Sequence, residues 1–341
     1  MNDDILLELK DVRTSFYTHH GEVQAVRGSS FKLKKGDVLG IVGESGSGKS
    51  VTSLSIMGLI DEPGKIKSGE IIFDGKNLAK MSQRELSDIR GNEIAMIFQD
   101  PMTSLNPVYT IKNQMTEVIR RHQKISQKKA VKQAVKMLDL VGIPEPEKRI
   151  NSFPHEFSGG MRQRVMIATA LSCNPRLLIA DEPTTALDVT IQAQILELMN
   201  DLKEKIDASI ILITHDLGVI AEICDHIVVM YGGKILEQGT EKDIFYNPQN
   251  PYTVGLHKSV PKITELENEE RLIPIEGTPP DLMNPPVGCP FSPRCPHAME
   301  ICLKEQPPSF QLSETHSSAC WLLHKDAPQV EKYEKAGDDV E

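Results

Sequence analysis

Eight consecutive residues, Gly43-Glu44-Ser45-Gly46-Ser47-Gly48-Lys49-Ser50, carry the spacing G-x-x-x-x-G-K-[ST]. The chemistry open to such a run is the holding of phosphate. Its glycines let successive backbone N–H groups turn inward around an anion. A helix opening behind the loop aims its positive end at the same point. Lys49 is then placed to bridge β- and γ-phosphates, and Ser50 to hold Mg²⁺. The plain alternative is a Gly/Ser turn between a strand and a helix. It accounts less well for every constrained position being filled after the apolar run Val38 to Val42 and before the helical run Val51 to Leu59.

A second candidate is the apolar run Leu177-Leu178-Ile179-Ala180 followed by Asp181-Glu182. A strand buried on both faces delivers its end residues into the crevice of an open α/β sheet. Asp181 there suits the Mg²⁺ shell. Glu182, one residue on and pointing differently, suits a general base that orients an attacking water. Acids are common at strand ends, so this pair gains weight only beside the phosphate loop upstream.

Positioning these residues requires an α/β domain. Val38 to Val42, Ile94 to Phe98, Leu177 to Ala180, Ile210 to Thr214 and Ile227 to Tyr231 read as buried strands, with amphipathic stretches such as Ile191 to Leu202 between them. That alternation predicts parallel strands with crossover helices. Residues about 107 to 170 carry helical patterns and no strand signal, which predicts a helical insert. From Asn247 prolines crowd the chain (Pro248, Pro251, Pro261, Pro274, Pro279, Pro280, Pro285, Pro286), and a second module is expected over 248–341. The last residues, QVEKYEKAGDDVE among them, are charged and expected to fray.

The bulk numbers exclude several classes. The 341 residues are too many for one average domain. A formal net charge of −10 argues against a general nucleic-acid binder, which needs clustered Lys and Arg. The longest apolar runs are of strand length, far short of the roughly 20 residues of a spanning helix. The start MNDDILLELK lacks the basic and apolar parts of a signal peptide, so the expected location is cytoplasmic, with any membrane role exercised through a partner. Of six cysteines, Cys173 and Cys224 sit in apolar or helical contexts and read as buried core thiols.

Other residues complete a pattern. Gln99 ends the strand Ile94 to Phe98, Ser158-Gly159-Gly160-Met161-Arg162-Gln163 precedes Asp181-Glu182, Ala186-Leu187-Asp188 follows it, and Thr214-His215-Asp216 ends the next strand. In this order the features resemble the ATP-binding cassette of ABC transporters, over about residues 5 to 247. The resemblance implies a P-loop NTPase cassette with a helical insert at about 100–170, working with ATP and Mg²⁺. It implies that Gln99 senses the Mg²⁺ and water site, and that His215 bonds the γ-phosphate and Glu182. Ser158, Gly159 and Gly160 would face the γ-phosphate of a second cassette, Asp188 would lie at the contact between cassettes, and Phe16 or Tyr17 would stack on adenine. Taken alone, His215 would read as a satisfied surface or core histidine and Gln99 as a strand-end residue. Phe157 and Met161 depart from the common Leu-Ser-Gly-Gly-Gln signature, yet the Ser-Gly-Gly core is kept.

The Ser-Gly-Gly-Met-Arg-Gln form is similar to that of the peptide-importer branch, as are Gln99-Asp100-Pro101-Met102-Thr103-Ser104-Leu105-Asn106-Pro107, Asn250-Pro251-Tyr252-Thr253 and Gly288-Cys289-Pro290-Phe291-Ser292-Pro293-Arg294-Cys295. The implied partners are a paralogous ATPase subunit, two permeases and, indirectly, a solute-binding protein, at the cytoplasmic face of the cell membrane. The cargo implied is oligopeptides or dipeptides; nickel and certain sugars use close relatives of the same motor. Two rival classes are a soluble ABC-type ATPase of translation or DNA repair and a metal-binding scaffold with a regulatory nucleotide site. The single cassette without a heptad run disfavours the first, and the presence of Glu182 with His215 disfavours the second.

Cys289, Cys295, Cys302 and Cys320 follow the spacing C-x5-C-x6-C-x17-C. Chance, a disulfide pair, zinc and an iron–sulfur cluster are all readings of four such thiols. A reducing compartment disfavours disulfides, and structural zinc usually shows tighter pairs. A [4Fe–4S] cluster takes four thiolates at varied spacing, and it is what the resemblance of this tail to peptide-importer ATPases implies. Its role would be to staple a module too small to build its own core.

Overall fold

The computed structural model describes residues 4–99, 104–184, 188–205, 208–259 and 274–330. The expectations for the segment around Asp100 to Thr103, for Ala186 and Leu187, and for the frayed tail from residue 331 lie outside the described residues. In chain order the strands are β1 (Ile5–Thr18), β2 (Gly21–Lys34), β3 (Val38–Val42), β4 (Gly64–Phe73), β5 (Lys76–Asn77), β6 (Ile94–Ile97), β7 (Leu177–Asp181), β8 (Ser209–Thr214), β9 (His226–Tyr231), β10 (Lys234–Thr240), β11 (Phe310–Gln311) and β12 (Ser317–Ser318). The helices are α1 (Lys49–Met57), α2 (Gln83–Ile89), α3 (Ile111–Gln123), α4 (Gln127–Leu140), α5 (Pro146–Arg149), α6 (Gly159–Leu171), α7 (Val189–Lys205), α8 (Leu217–Ile223), α9 (Glu241–Tyr246), α10 (Pro251–Lys258) and α11 (Glu300–Lys304). No helix among the described residues is long and apolar enough to cross a membrane.

The chain forms two compact units. One is built mainly on Lys80–Ile213, with Leu33–Val38 added; the other is built on Leu7–Lys32, Leu39–Ala79 and the chain from Thr214 on. In the first unit β6, β7 and β8 run parallel in that order, with Ile97 opposite Ala180 and Asp181 opposite Ile213. Every residue of β7 and β8 is buried. This is why their sequences are continuous apolar runs with no polar alternation.

The same unit holds the helical stretch. Thr110 caps α3 by accepting a bond from the Asn113 N–H. Ile111, Met115, Thr116 and Ile119 form its buried face at helical spacing. Ala130 and Ala134 are the fully buried small residues of α4, and their size lets neighbouring helices approach closely. The described residues 104–170 carry helices α3 to α6 and no strand. Strand β6 ends at Ile97, one residue earlier than expected, and Phe98 stands 42% exposed.

In the second unit the strands lie in the order β11-β12-β10-β9-β3, with β3 parallel to β9 and the others antiparallel. A separate antiparallel sheet has the order β2-β1-β4-β5. This sheet is a difference from the sequence reading, which expected only short buried parallel strands. β1 and β2 escape that reading because they alternate buried and exposed residues. A bulge near Asp11, which sits at φ 44°, breaks the period of β1 again.

The proline-rich segment adds to strands earlier in the chain: Ser317 and Ser318 of β12 pair with Gln238 and Glu237 of β10. The anchor is the fully buried Glu237 carboxylate. It accepts bonds from the Gln249 N–H (2.6 Å), the Asn250 N–H (3.1 Å) and the His316 Nε2 (2.8 Å). A buried carboxylate is tolerable only when its oxygens are satisfied in this way. Gly288 packs so tightly on the Cys302 carbonyl that a Cβ would come within 2.1 Å of it. Phe291 is buried against Tyr231 and Tyr252, with ring centroids 5.3 and 5.2 Å away. The extension thus borrows its core from strands that precede it. Replacing Glu237 by Ala strands three donors around an empty site, and it is expected to cost about 3 kcal/mol, read as a lowered urea midpoint.

Candidate functional site

The phosphate loop lies between β3 and α1. Gly43, Gly46 and Gly48 all have positive φ (155°, 77° and 99°). At two of these positions space also demands glycine. A Cβ on Gly43 would come 2.1 Å from the Met230 carbonyl oxygen, and one on Gly48 would come 2.5 Å from that of Ala25. The loop is backed further by the Gly233 N–H, which donates to the Ser47 carbonyl at 3.0 Å. No side chain caps the N-terminus of α1. Lys49 is buried, and its ammonium donates to the Gly43 carbonyl at 2.7 Å and the Glu44 carbonyl at 3.1 Å. The Ser47 hydroxyl is buried with no hydrogen-bond partner. A lysine folded onto its own loop's carbonyls, an orphaned hydroxyl and an uncapped helix end form a cradle suited to an anion.

Behind the loop, α1 is tied to the antiparallel sheet by a buried bond between the Thr14 and Ser55 hydroxyls, 2.8 Å. In that sheet Phe16 is half-buried, its ring so close to Gly64 that a Cβ there would meet it at 2.6 Å. Tyr17 is 39% exposed, with the Lys65 ammonium 4.6 Å above its ring.

In the other unit Asp181 closes β7 and is buried. Glu182 follows in a left-handed backbone conformation, φ 47°, fixed by its N–H donating to the Ile213 carbonyl at 2.9 Å. A non-glycine residue held there is strained, and such strain clusters at functional positions. The conformation turns the Glu182 carboxylate away from the strand, where the Gln99 amide donates to it at 2.8 Å. The structure thus brings Gln99 and Glu182 together.

Ser158 caps α6 by accepting from the Met161 N–H at 3.3 Å, and Ser158 and Gly159 are exposed. Gly160 is buried, and a Cβ on it would sit 2.6 Å from Ile191. Phe157 is buried, so the replacement of leucine by phenylalanine in the signature serves packing. Asp188 is exposed and caps α7 by accepting from the Ile191 N–H at 3.0 Å. His215 is exposed, directly after β8.

Sequence reasoning missed three features. Arg294 forms a forked ion pair with Glu44 of the loop. The Tyr252 hydroxyl accepts from the Glu44 N–H at 2.9 Å. Gln163 is fully buried with both amide atoms unpartnered. Tyr252 and Arg294 stood in quoted motifs, but nothing in their spacing pointed to the loop.

The sequence matches the family described as ABC transporter over residues 26–185, and the family described as oligopeptide/dipeptide transporter, C-terminal region, over residues 236–302. It is 62% identical to the oligopeptide transport ATP-binding protein OppD of Bacillus subtilis (strain 168), covering 96% of this chain and 91% of that one. It is 56% identical to the dipeptide transport ATP-binding protein DppD of the same organism, covering 93% and 94%. The fold is similar to the dimeric post-hydrolysis state of the ATP-binding cassette MJ0796 bound to ADP and phosphate (29% identity, TM-score 0.62, 69% of this chain and 99% of that one). It is also similar to cbiO1 of Clostridium perfringens, part of the transporter complex cbiONQ (28% identity, TM-score 0.60, 71% and 91%).

The close approach at Gly43 gives a direct test of the cradle. Gly43→Ala is expected to push the loop off Met230 and weaken MgATP binding at least about tenfold, or about 1.4 kcal/mol, measured by calorimetric titration of the folded chain.

Proposed function

The chain belongs to the ABC transporter family and hydrolyses ATP with Mg²⁺, and we propose that this hydrolysis drives the import of oligopeptides or dipeptides across a membrane. The observation that carries the motor reading is the phosphate loop, where Gly43 and Gly48 leave no room for a side chain and Lys49 and the buried Ser47 hydroxyl stand beside the loop backbone. The cargo reading is supported by two relatives, one of oligopeptide and one of dipeptide transport, at 62% and 56% identity over nearly the whole chain.

The working division is a cassette over 1–247 and an importer-type extension over 248–341. Within the cassette, Gly43 to Gly48 wrap the phosphates, Lys49 bridges the β- and γ-phosphates, and Ser50 and Asp181 hold Mg²⁺. Glu182 is the general base for the attacking water, and Gln99, already bonded to its carboxylate, senses the Mg²⁺ and water site. His215 bonds the γ-phosphate. Phe16 or Tyr17 supplies the adenine platform. Ser158, Gly159 and Gly160 open a helix that serves the ATP held by a second cassette, and Asp188 lies at that contact; the exposure of Ser158, Gly159 and Asp188 supports this role.

ABC importer ATPases work in a complex with permease subunits. The proposed complex has a paralogous ATPase, two permeases and a solute-binding protein, with this chain on the cytoplasmic membrane face. The helical insert is the proposed permease contact, supported by Val108 and Tyr109, which stand 71% and 53% exposed. In the assembled complex Glu182→Gln is expected to keep ATP binding, to lower hydrolysis on the order of 10²- to 10⁴-fold and to stop uptake of labelled peptide. Near-normal hydrolysis would remove Glu182 from its role. Hydrolysis stimulated by nickel with its binding protein, and not by peptide, would replace the cargo.

The four cysteines of the extension are the proposed holders of a [4Fe–4S] cluster, with zinc as the runner-up. All are free thiols. Burial, with the neighbouring thiols adding to it, pushes Cys289 up to about 11 and Cys320 up to about 12, and raises Cys295 as well. Among the described residues no group of three or more His, Cys, Asp or Glu stands at metal-holding spacing, so loading would require the thiols to close in. Four thiolates are the full ligand set of such a cluster, which would neutralise the charge that burial resists. Anaerobic purification is expected to give four iron and four sulfide per chain. A well-folded, iron-free protein ends the cluster reading, and stoichiometric zinc gives the site to the runner-up.

A further inference from the structure

We propose that Arg294, which lies in the extension far along the chain from the nucleotide motifs, is a positioning residue for the phosphate loop and sets its affinity for ATP through Glu44. Its side chain is only 5% exposed. A guanidinium has five N–H donors and cannot shed its charge, so burying it demands five acceptors. All five are present. Nη1 donates to Glu44 Oε2 at 2.6 Å and to the Tyr231 hydroxyl at 3.1 Å. Nη2 donates to Glu44 Oε1 at 3.1 Å and to the Ile275 carbonyl at 2.8 Å, and Nε donates to the Glu276 carbonyl at 2.7 Å. The cation is thereby locked between the extension's backbone and the loop's carboxylate.

The consequence falls on Glu44. A loop built to receive a polyanion carries a carboxylate of its own, which repels phosphate unless it is neutralised. Arg294 neutralises it in the forked geometry that makes such pairs strong. The pair also completes a three-point grip on one loop residue. The Glu44 N–H is held by Tyr252, its carbonyl by Lys49 and its side chain by Arg294. A loop fixed in this way loses less freedom when ATP binds, so the grip acts on affinity. It joins the extension to the cassette within one unit of the fold: Arg294 adjoins Cys295, and its N–H donates to the Phe291 carbonyl, in the turn that begins at Cys289.

The inference rests on reading Gly43 to Ser50 as the ATP loop, and the experiment separates the two. Steady-state hydrolysis against MgATP is measured in the assembled transporter for Arg294→Ala, Arg294→Lys, Glu44→Gln, the double variant Arg294→Ala with Glu44→Gln, and Lys49→Ala. Arg294→Ala is expected to raise KM for ATP about tenfold with kcat within about twofold of the parent, because binding and not chemistry is affected. Glu44→Gln is expected to raise KM about threefold. The double variant should be no worse than Glu44→Gln alone, since no unneutralised carboxylate remains, and such non-additivity marks direct coupling. Arg294→Lys keeps the charge and loses the fork, and it should fall between parent and Ala. If Arg294→Ala does not fold, Arg294→Lys and Glu44→Gln decide alone. An unchanged KM in those two, additive effects in the double variant, or equal losses in KM and kcat would each overturn the proposal. Unimpaired ATP binding by Lys49→Ala would overturn the loop reading instead.

Discussion

The phosphate loop obeys one constraint: its backbone N–H groups must be able to turn inward together. A backbone can converge on an anion only where side chains are absent, so the loop is glycine at the points where it touches its own scaffold. Gly43 lies on the Met230 carbonyl and Gly48 on that of Ala25. These are contacts of main chain with main chain. The loop is therefore moulded on the strand end at Met230, on Ala25 and on the turn at Gly233. The burial of Lys49 follows from the same geometry. Its ammonium is satisfied by the carbonyls of Gly43 and Glu44, which avoids the penalty of an unpaired buried charge.

A second strained element serves the other unit. The left-handed turn at Glu182 interrupts what would otherwise be a longer strand. It is affordable because the Ile213 carbonyl fixes the peptide on one side and Gln99 fixes the carboxylate on the other. A glycine would relieve the backbone strain and lose the carboxylate. Gln99 lies two residues beyond β6, where the chain leaves the strands for the helical insert.

How much of this was legible in the sequence differs from element to element. The fully buried parallel strands β3, β7 and β8 were readable because burial on both faces leaves an unbroken apolar run, and the phosphate loop because its glycines and lysine are fixed by chemistry. The joint order of Gln99, Ser158, Asp181, Glu182 and His215 told more than any one of them. The antiparallel sheet was not readable: β1 and β2 expose alternate residues, and the bulge near Asp11 shifts the alternation midway. Nor were the partners of Glu44. An ion pair between residues 44 and 294 has no local signature, since Arg294 looks like any charged residue in a proline-rich run until the fold buries it. The bond between Gln99 and Glu182 is an intermediate case. Each residue was marked by its place after a strand, and the parallel pairing of β6 with β7 brings those two strand ends side by side.

The described part of the extension shows how a segment with few regular elements can still be ordered. Its strands are two residues long: β12 pairs with the earlier strand β10, and β11 pairs only with β12. Its remaining order comes from side chains bonded to backbone. Gln306 donates to the Val287 carbonyl, Trp321 to that of Glu305, and Arg294 to those of Ile275 and Glu276. Bonds of this kind each contribute about 1 kcal/mol net, so they order a chain only where burial of Phe291 and Tyr252 has already removed water. That burial happens against Tyr231, at the end of β9, one residue beyond the Met230 carbonyl on which Gly43 rests. The extension and the phosphate loop thus lean on the same strand end from two sides, and order in one is physically tied to order in the other.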